Sequence, residues 1–291
     1  MDISLLPSIW FLPGLPVTPL RNSVWRVGDG YFLKAYDDRR QLEGLILLVA
    51  RLCEQGLPVA EPMRTVDEAD YLVSGGRCYV MTRRLPGAHL DPAERPEQAA
   101  LFGRTAARLH AALAAVELPA DDHDLLAELR ALPDRIADHA ARDAFREALD
   151  AFVPLYPALP RQRIHRDLHA DNLLFKEGEA TGYLDFDLSY RDARLFDLCY
   201  LASGWLCGRW QQADQAAIWE QSVRALFAAY HAHAPLTAAE RRAAAPLLAC
   251  INGIFTAFYS AQGQTVQAQE ACGQLCWLWG HRERVDRVAE C

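Results

Sequence analysis

Lysine is nearly missing from this chain: of its 30 cationic residues only Lys34 and Lys176 are lysines. Where arginine serves almost everywhere, each lysine raises the question of why arginine would not do there. Membrane signals are also lacking. No apolar run reaches the roughly 18 residues a span needs, because the longest candidates are broken by Arg, Gly or Pro. The opening MDISLLPSIWFLPGLP has no basic stretch and is interrupted by proline, so it does not read as a secretory signal. The eight cysteines contain no CxxC pair, which excludes the usual zinc spacing and leaves no disulfide framework. Reduced thiols in a cytoplasmic protein are the expectation. A basic face is absent too: 38 acidic residues against 30 basic ones give a net charge of −8, which argues against a nucleic-acid partner. No internal repeat is visible.

What is present reads as a globular chain. Its 291 residues are 51% apolar and 23% charged, an ordinary balance, and that length suggests about two domains. The charge is unevenly spread. Met1 to Pro86 carry 10 acidic and 10 basic residues, so Gly87 to Cys291 hold the whole excess.

Trp25–Val27 and Tyr31–Tyr36 read as strands flanking the turn Gly28-Asp29-Gly30. Leu42, Leu45, Ile46, Val49, Leu52 and Cys53 then recur at helical spacing up to Gly56. Strand patterns return at Asp70–Ser74 and Cys78–Thr82, split by Gly75-Gly76. Beyond Arg84-Leu85-Pro86-Gly87 helices dominate: Glu97–Val116, Asp124–Ala131, Asp134–Phe152, Leu195–Cys207, Gln212–Ala232, Ala238–Gly263 and Val266–Ala289. The last but one opens on the capping box Thr237-Ala238-Ala239-Glu240. Between them, Leu173–Phe175 and Gly182–Phe186 read as a short hairpin closed by Lys176–Thr181. The expectation is an α+β protein with a β-rich lobe over residues 1–85 and a larger helical lobe over 86–291.

His165-Arg166-Asp167-Leu168-His169-Ala170-Asp171-Asn172 matches the kinase catalytic-loop spacing H-R-D-L-x-x-x-N at every specified position. Asp185-Phe186-Asp187 follows at the end of a predicted strand, 13 residues after Asn172. Phosphoryl transfer asks a protein for positioning and charge neutralisation. Asp167 is suited to orient an acceptor hydroxyl and take its proton. The Asn172 amide and the Asp185 carboxylate are hard oxygen ligands of the kind magnesium prefers.

Over His165–Leu201 the chain resembles the aminoglycoside phosphotransferase and choline kinase family, within the protein-kinase-like fold. HRDLHADNLLF, GYLDFD and Asp197-Leu198 carry the resemblance, and Leu85-Pro86-Gly87 and Leu109-His110 extend it. It implies a bilobal fold with ATP and Mg²⁺ between the lobes and Asp167 as catalytic base. Asn172 and Asp185 would be the metal ligands, and Asp197 an anchor of the catalytic loop. Adenine would meet the backbone of Thr82–Arg84, so Thr82 and Arg84 count among the nucleotide-binding residues. Lys34, on a strand of the small lobe, would grip phosphate, a role for which a flexible ammonium suits better than a guanidinium fork. Its acidic partner would be Glu43, for which an exposed helix-start carboxylate is the equal alternative. No G-x-G-x-x-G precedes Lys34, so Arg21-Asn22-Ser23 is the candidate phosphate turn, with the Ser23 hydroxyl as donor. Asp187 stands where Asp-Phe-Gly has glycine, either touching a second metal or as a surface Asp. His110 and His169 read as structural, and Trp205, Trp210, Trp219, Trp277 and Trp279 as core, with stacking of one of them on an acceptor as the alternative.

The short interval from Asp185 to Asp197, with no Ala-Pro-Glu, argues for a small-molecule hydroxyl acceptor over a protein Ser/Thr. A nucleotide-binding protein without turnover is the non-enzymatic alternative. Candidate acceptors are amine-bearing alcohols such as an aminoglycoside, or homoserine- or choline-type metabolites. The acidic run Asp121-Asp122-His123-Asp124 is a candidate for holding a cationic one.

Overall fold

The computed structural model describes residues 2–21, 23–92, 95–118 and 123–290. The chain divides into two units, Met1–Ala88 with Leu173–Asp187, and His89–Asn172 with Leu188–Cys291.

The first unit is built on an antiparallel sheet of β1 (Val17–Arg21), β2 (Val24–Val27), β3 (Tyr31–Tyr36), β4 (Leu72–Ser74) and β5 (Arg77–Arg83), in the order β1-β2-β3-β5-β4. The turns at Gly28–Gly30 and Gly75-Gly76 fall where the glycines put them. Along β3 alternate residues face opposite sides. Leu33 and Ala35 are buried, while Lys34 and Tyr36 share the other face and stay partly accessible. Helix α1 (Arg39–Glu54) starts on the Asp38 carboxylate, which accepts the N–H groups of Arg40 and Gln41, and it packs Leu42 against Cys78 and Val80.

Two elements of this unit were not visible in the sequence pattern. One is the 3₁₀ helix Ile3–Trp10, which lays Leu6 and Trp10 against Val27, Leu33 and Met81. The other is β1, where Pro19 speaks against a strand. As an edge strand β1 tolerates it, because one side of its backbone has no ladder to serve.

The hairpin of β6 (Leu173–Lys176) and β7 (Glu179–Tyr183) also belongs to the first unit. Its turn is tighter than the sequence suggested, with Glu177 and Gly178 both at positive φ, as a two-residue hairpin requires. Phe175 and Ala88 exchange N–H···O bonds of 2.9 Å, Tyr183 N–H donates to the Pro58 carbonyl and Thr181 Oγ1 to that of Pro86. These bonds explain why the structural units do not divide the chain at residues 85 and 86 alone.

The second unit holds helices α2 (Ala99–Ala114), α3 (Leu125–Arg130), α4 (His139–Phe152), α5 (Leu195–Leu206), α6 (Ala213–His231), α7 (Ala238–Ala261), α8 (Thr265–Gly280) and α9 (Arg282–Val288). The expected Val266–Ala289 helix is thus two, broken at His281. A short antiparallel pair, β8 (Arg161–Ile164) with β9 (Tyr190–Ala193), brackets the catalytic motif. Its polar RQRI and YRDA segments carry little hydrophobic alternation. Helix α7 has the Thr237–Glu240 capping box. It also corrects the reading of apolar runs, since an 18-residue window of mean hydropathy 1.4 lies within it. That window is 72% buried inside the protein, where α7 packs on α4, α5 and α8. It is the core helix of this unit. The seven described cysteines are free thiols; Cys291 lies outside the described residues.

Helices α2 and α6 touch at Gly103, where a Cβ would stand 2.3 Å from the Leu226 carbonyl oxygen and 2.9 Å from the Tyr230 nitrogen. No rotamer relieves a clash with backbone. Gly103→Val is therefore expected to destabilise the protein by about 1–3 kcal/mol or more, read as a lower urea midpoint at constant m-value. An unchanged midpoint would show that the helices separate at no cost.

Candidate active site

In the second unit, β8 delivers the chain into His165-Arg166-Asp167. Asp197, on the first turn of α5, is fully buried and accepts three hydrogen bonds. The N–H groups of His165 and Arg166 reach its two oxygens at 2.8 Å, and His110 Nε2 lies 3.0 Å from Oδ2. His110 is held on its other side by the Tyr230 hydroxyl at 2.7 Å, so its role is structural. Burial pushes the Asp197 carboxyl up, but His110 and the backbone N–H of His165 outweigh it and hold the pKa below its ordinary value.

This grip keeps Arg166 in the left-handed region, at φ 72, a conformation costly for a residue with a Cβ. The Arg166 guanidinium lies 3.9 Å from the Phe196 ring centre and pairs with Glu128 at 2.5 Å. The chain then turns so that Asp167 stands apart from this cluster. Its Oδ1 accepts from the Tyr200 hydroxyl at 2.8 Å, and its Oδ2 faces Asn172 Nδ2 at 3.3 Å and His169 Nε2 at 3.7 Å. Burial first, and the Asp167 charge second, push the Tyr200 hydroxyl far above its usual range, so it stays a donor. Asn172 Nδ2 also donates to the Asp167 carbonyl at 2.8 Å, leaving Oδ1 as the Asn172 atom suited to coordination.

In the first unit, Lys34 Nζ meets Asp185 Oδ1 at 2.8 Å and Asp187 Oδ2 at 2.6 Å. Arg21 reaches the other oxygen of Asp185 at 2.8 Å, and the Tyr36 hydroxyl donates to Asp187 at 3.1 Å. Asp185 takes φ 61, two residues beyond the end of β7. Burial raises its pKa, but Lys34 and Arg21 together hold it below the ordinary carboxylate value. Asp187 is thus a partner of Lys34 and not a detached surface residue.

Glu43 does not meet Lys34. It sits on the exposed face of α1, where its Oε1 accepts from Arg39 at 2.9 Å and from the Tyr71 hydroxyl at 2.6 Å. The exposed-carboxylate alternative is the one observed, because Arg39 lies one helical turn away and Lys34 already has two carboxylates. Ser23 has φ 62 and its hydroxyl accepts from Arg77 at 2.7 Å; Asn22 beside it lies outside the described residues. Thr82 is inside β5, opposite Phe32 and Pro62, and the Arg84 N–H donates to the Gly30 carbonyl at 2.8 Å. Strand pairing runs one residue further than the sequence pattern indicated, and the Arg84 N–H is committed to the Gly30 carbonyl. A cavity of about 530 Å³ lined by Val59, Met63, Arg83 and Leu85 opens beside this stretch.

Sequence reasoning missed Tyr200, Arg21 and Tyr36 as neighbours of the acidic residues. Tyr200 was accessible to it, since it follows Asp197 by three residues on one helix and so shares its face. Of the acidic run, Asp121 and Asp122 lie outside the described residues; Asp124 caps α3 and His123 stacks on Tyr190 at 4.2 Å. Trp205 and Trp219 are buried, whereas Trp279 is tied to Glu147 in an exposed contact.

Asp197→Asn would set an N–H donor against a backbone N–H in a buried site. A loss of roughly 3–5 kcal/mol at pH 7 is expected. The depressed pKa gives the sign of the pH dependence: this stabilisation is complete above the ordinary value of 3.8 and disappears as pH falls through the lower native value. Urea midpoints of wild type and variant should therefore converge in acid. A gap that stays constant would show that the ionised carboxylate is not the source of the stability.

Residues 18–243 match the model of the phosphotransferase enzyme family. A homoserine kinase of Gluconacetobacter diazotrophicus is 33% identical over 245 residues, covering 78% of this chain and 73% of that protein. Among solved structures, amicoumacin kinase hAmiN in complex with AMP-PNP, Ca²⁺ and Ami aligns with a TM-score of 0.71 at 15% identity, over 95% of this chain and 93% of that one. The GDP complex of aminoglycoside 2′-phosphotransferase-IIIa aligns with the same TM-score and identity, over 96% and 97%. These likenesses establish the kinase-like fold. The chain belongs to the phosphotransferase enzyme family, and it is a kinase that transfers phosphate to the hydroxyl of a small molecule.

Proposed function

We propose that the protein phosphorylates the side-chain hydroxyl of L-homoserine, with ATP as donor and Mg²⁺ as the required ion. The observation that carries the chemistry is Asp167, a partly exposed carboxylate oriented by Tyr200 and Asn172 on a loop that Asp197 holds rigid. The acceptor comes from the 33% identical homoserine kinase. In the step, the acceptor oxygen forms a bond to the γ-phosphorus as the bond to the β–γ bridging oxygen breaks. Asp167 takes the hydroxyl proton and ADP leaves.

The donor set fits magnesium. Among the described residues no cluster of three or more His, Cys, Asp and Glu side chains forms a cage. One carboxylate, Asp185, and one amide oxygen, Asn172 Oδ1, suit an ion that takes its remaining ligands from phosphates and water. When bound, Mg²⁺ would neutralise phosphate charge. Lys34 grips the phosphates, and Tyr200 keeps the Asp167 oxygen that accepts the proton in one orientation.

An acceptor panel tests the reading: turnover of L-homoserine should exceed that of choline and of an aminoglycoside, and the reverse order would overturn it. Asp167→Asn should lower kcat by about 10²–10⁴ while nucleotide affinity stays near wild type. Undiminished single-turnover transfer would remove Asp167 from the role of base. Asp185→Asn should lower Mg²⁺-dependent nucleotide affinity and turnover together. If titration with ATP shows the same metal dependence before and after the change, Asp185 is not a ligand.

A further inference from the structure

Beside the catalytic loop, within the helical unit, lies a cavity of about 380 Å³. His169 and Asp171 of the loop, Gly204 and Trp205 of α5, and Asp91 and Arg209 are among the residues lining it. Its link to the chemistry is direct, since His169 Nε2 stands 3.7 Å from Asp167 Oδ2. A volume of this size falls within the range of small-ligand sites.

The lining carries both signs of charge. Arg209 NH2 lies 3.3 Å from Asp91 Oδ2, and its NH1 lies 3.3 Å from the Cys207 carbonyl oxygen. Both are long for charge-assisted hydrogen bonds, which close to about 2.7–2.9 Å, so the Arg209 guanidinium can trade its present contacts for a better one. A polycationic acceptor would face the Arg209 charge, and a simple anion those of Asp91 and Asp171. A zwitterion meets an opposite charge at each end.

Two further observations fit an occupant. Trp205 is 4% exposed and lines the cavity, so its ring offers an apolar wall to the carbon chain of an occupant. Gly204 sits within α5, where glycine is destabilising by about 0.5–1 kcal/mol relative to alanine. A Cβ built there meets nothing within 4 Å, so the missing side chain corresponds to open space at the cavity.

We infer that this cavity seats the acceptor, and that it selects an α-amino acid bearing a hydroxyl. Arg209 receives the α-carboxylate and Asp91 the α-ammonium, with the hydroxyl end toward Asp167. The inference rests on the homoserine reading above and adds the residues that would impose it.

The test is isothermal titration of the full chain with L-homoserine, in the presence of Mg²⁺ and a non-hydrolysable ATP analogue. Two fragments accompany it: 3-amino-1-propanol, which lacks the carboxylate, and 4-hydroxybutyrate, which lacks the amine. Arg209→Met should weaken L-homoserine by about tenfold or more and leave 3-amino-1-propanol unchanged. Asp91→Asn should weaken L-homoserine similarly and leave 4-hydroxybutyrate no weaker. Gly204→Leu should abolish binding by filling the space. Melting temperature and nucleotide affinity serve as folding controls, and Arg209→Lys, which keeps the charge but loses the fork, replaces Arg209→Met should the latter not fold. If wild type binds and phosphorylates L-homoserine but Arg209→Met and Gly204→Leu bind it equally well, the cavity is not the acceptor site and the homoserine reading stands. If wild type neither binds nor phosphorylates L-homoserine, both fall.

Discussion

The buried Asp197 carboxylate divides its two oxygens among the His165 and Arg166 N–H groups and the His110 ring, and the geometry of the catalytic loop follows from that division. A left-handed Arg166 is affordable only because these bonds form away from water, where each is stronger and each loss costlier. The supports of Asp197 come from separate places in the chain: His110 from α2, Tyr230 from α6, and Phe196 beneath the Arg166 guanidinium. The close approach of α2 and α6 at Gly103 is part of the same construction, since it sets the distance across which His110 and Tyr230 meet.

The first unit uses electrostatics differently. Lys34 is placed by strand alternation on the accessible face of β3, and there it gathers Asp185 and Asp187 while Arg21 completes the set. Two carboxylates so close would each disfavour ionisation of the other. Two cations between and beside them offset this, which is why Asp185 stays ionised despite its burial. A single-point ammonium can touch both carboxylates at once, a contact the planar guanidinium fork is not shaped for.

Much of this was legible from residue order. The strands around Gly28–Gly30, the α1 periodicity, the capping box at Thr237 and the catalytic spacing from His165 to Asn172 all depend on near neighbours, and local rules read them. What escaped depends on distant partners. The Ile3–Trp10 helix is held because Leu6 and Trp10 pack with Val27, Leu33 and Met81 of the sheet, and β8 and β9 exist because each supplies the other's hydrogen bonds. Glu43 illustrates the limit: its place on the helix that follows Lys34 made it a candidate, but Arg39 and Tyr71 compete for it, and only the folded chain decides such a competition. The carboxylates that Lys34 does hold lie about 150 residues away in sequence, beyond the reach of any spacing argument.

The membership of the Leu173–Asp187 hairpin bears on how the chain is made. Its unit is discontinuous, so a ribosome that has released Ala88 has not yet supplied the strands that pair with Ala88 and Pro58. Vectorial synthesis usually lets N-terminal domains mature first. Here the five strands of the N-terminal sheet are all supplied by Arg83, but their unit must wait for residue 187, and with it for Lys34's two carboxylates, while α2 to α4 have already emerged. Until then Lys34 and Arg21 lack the carboxylates that partner them in the complete chain. Completion of the first unit is thereby coupled in time to emergence of the catalytic loop, which precedes the hairpin directly.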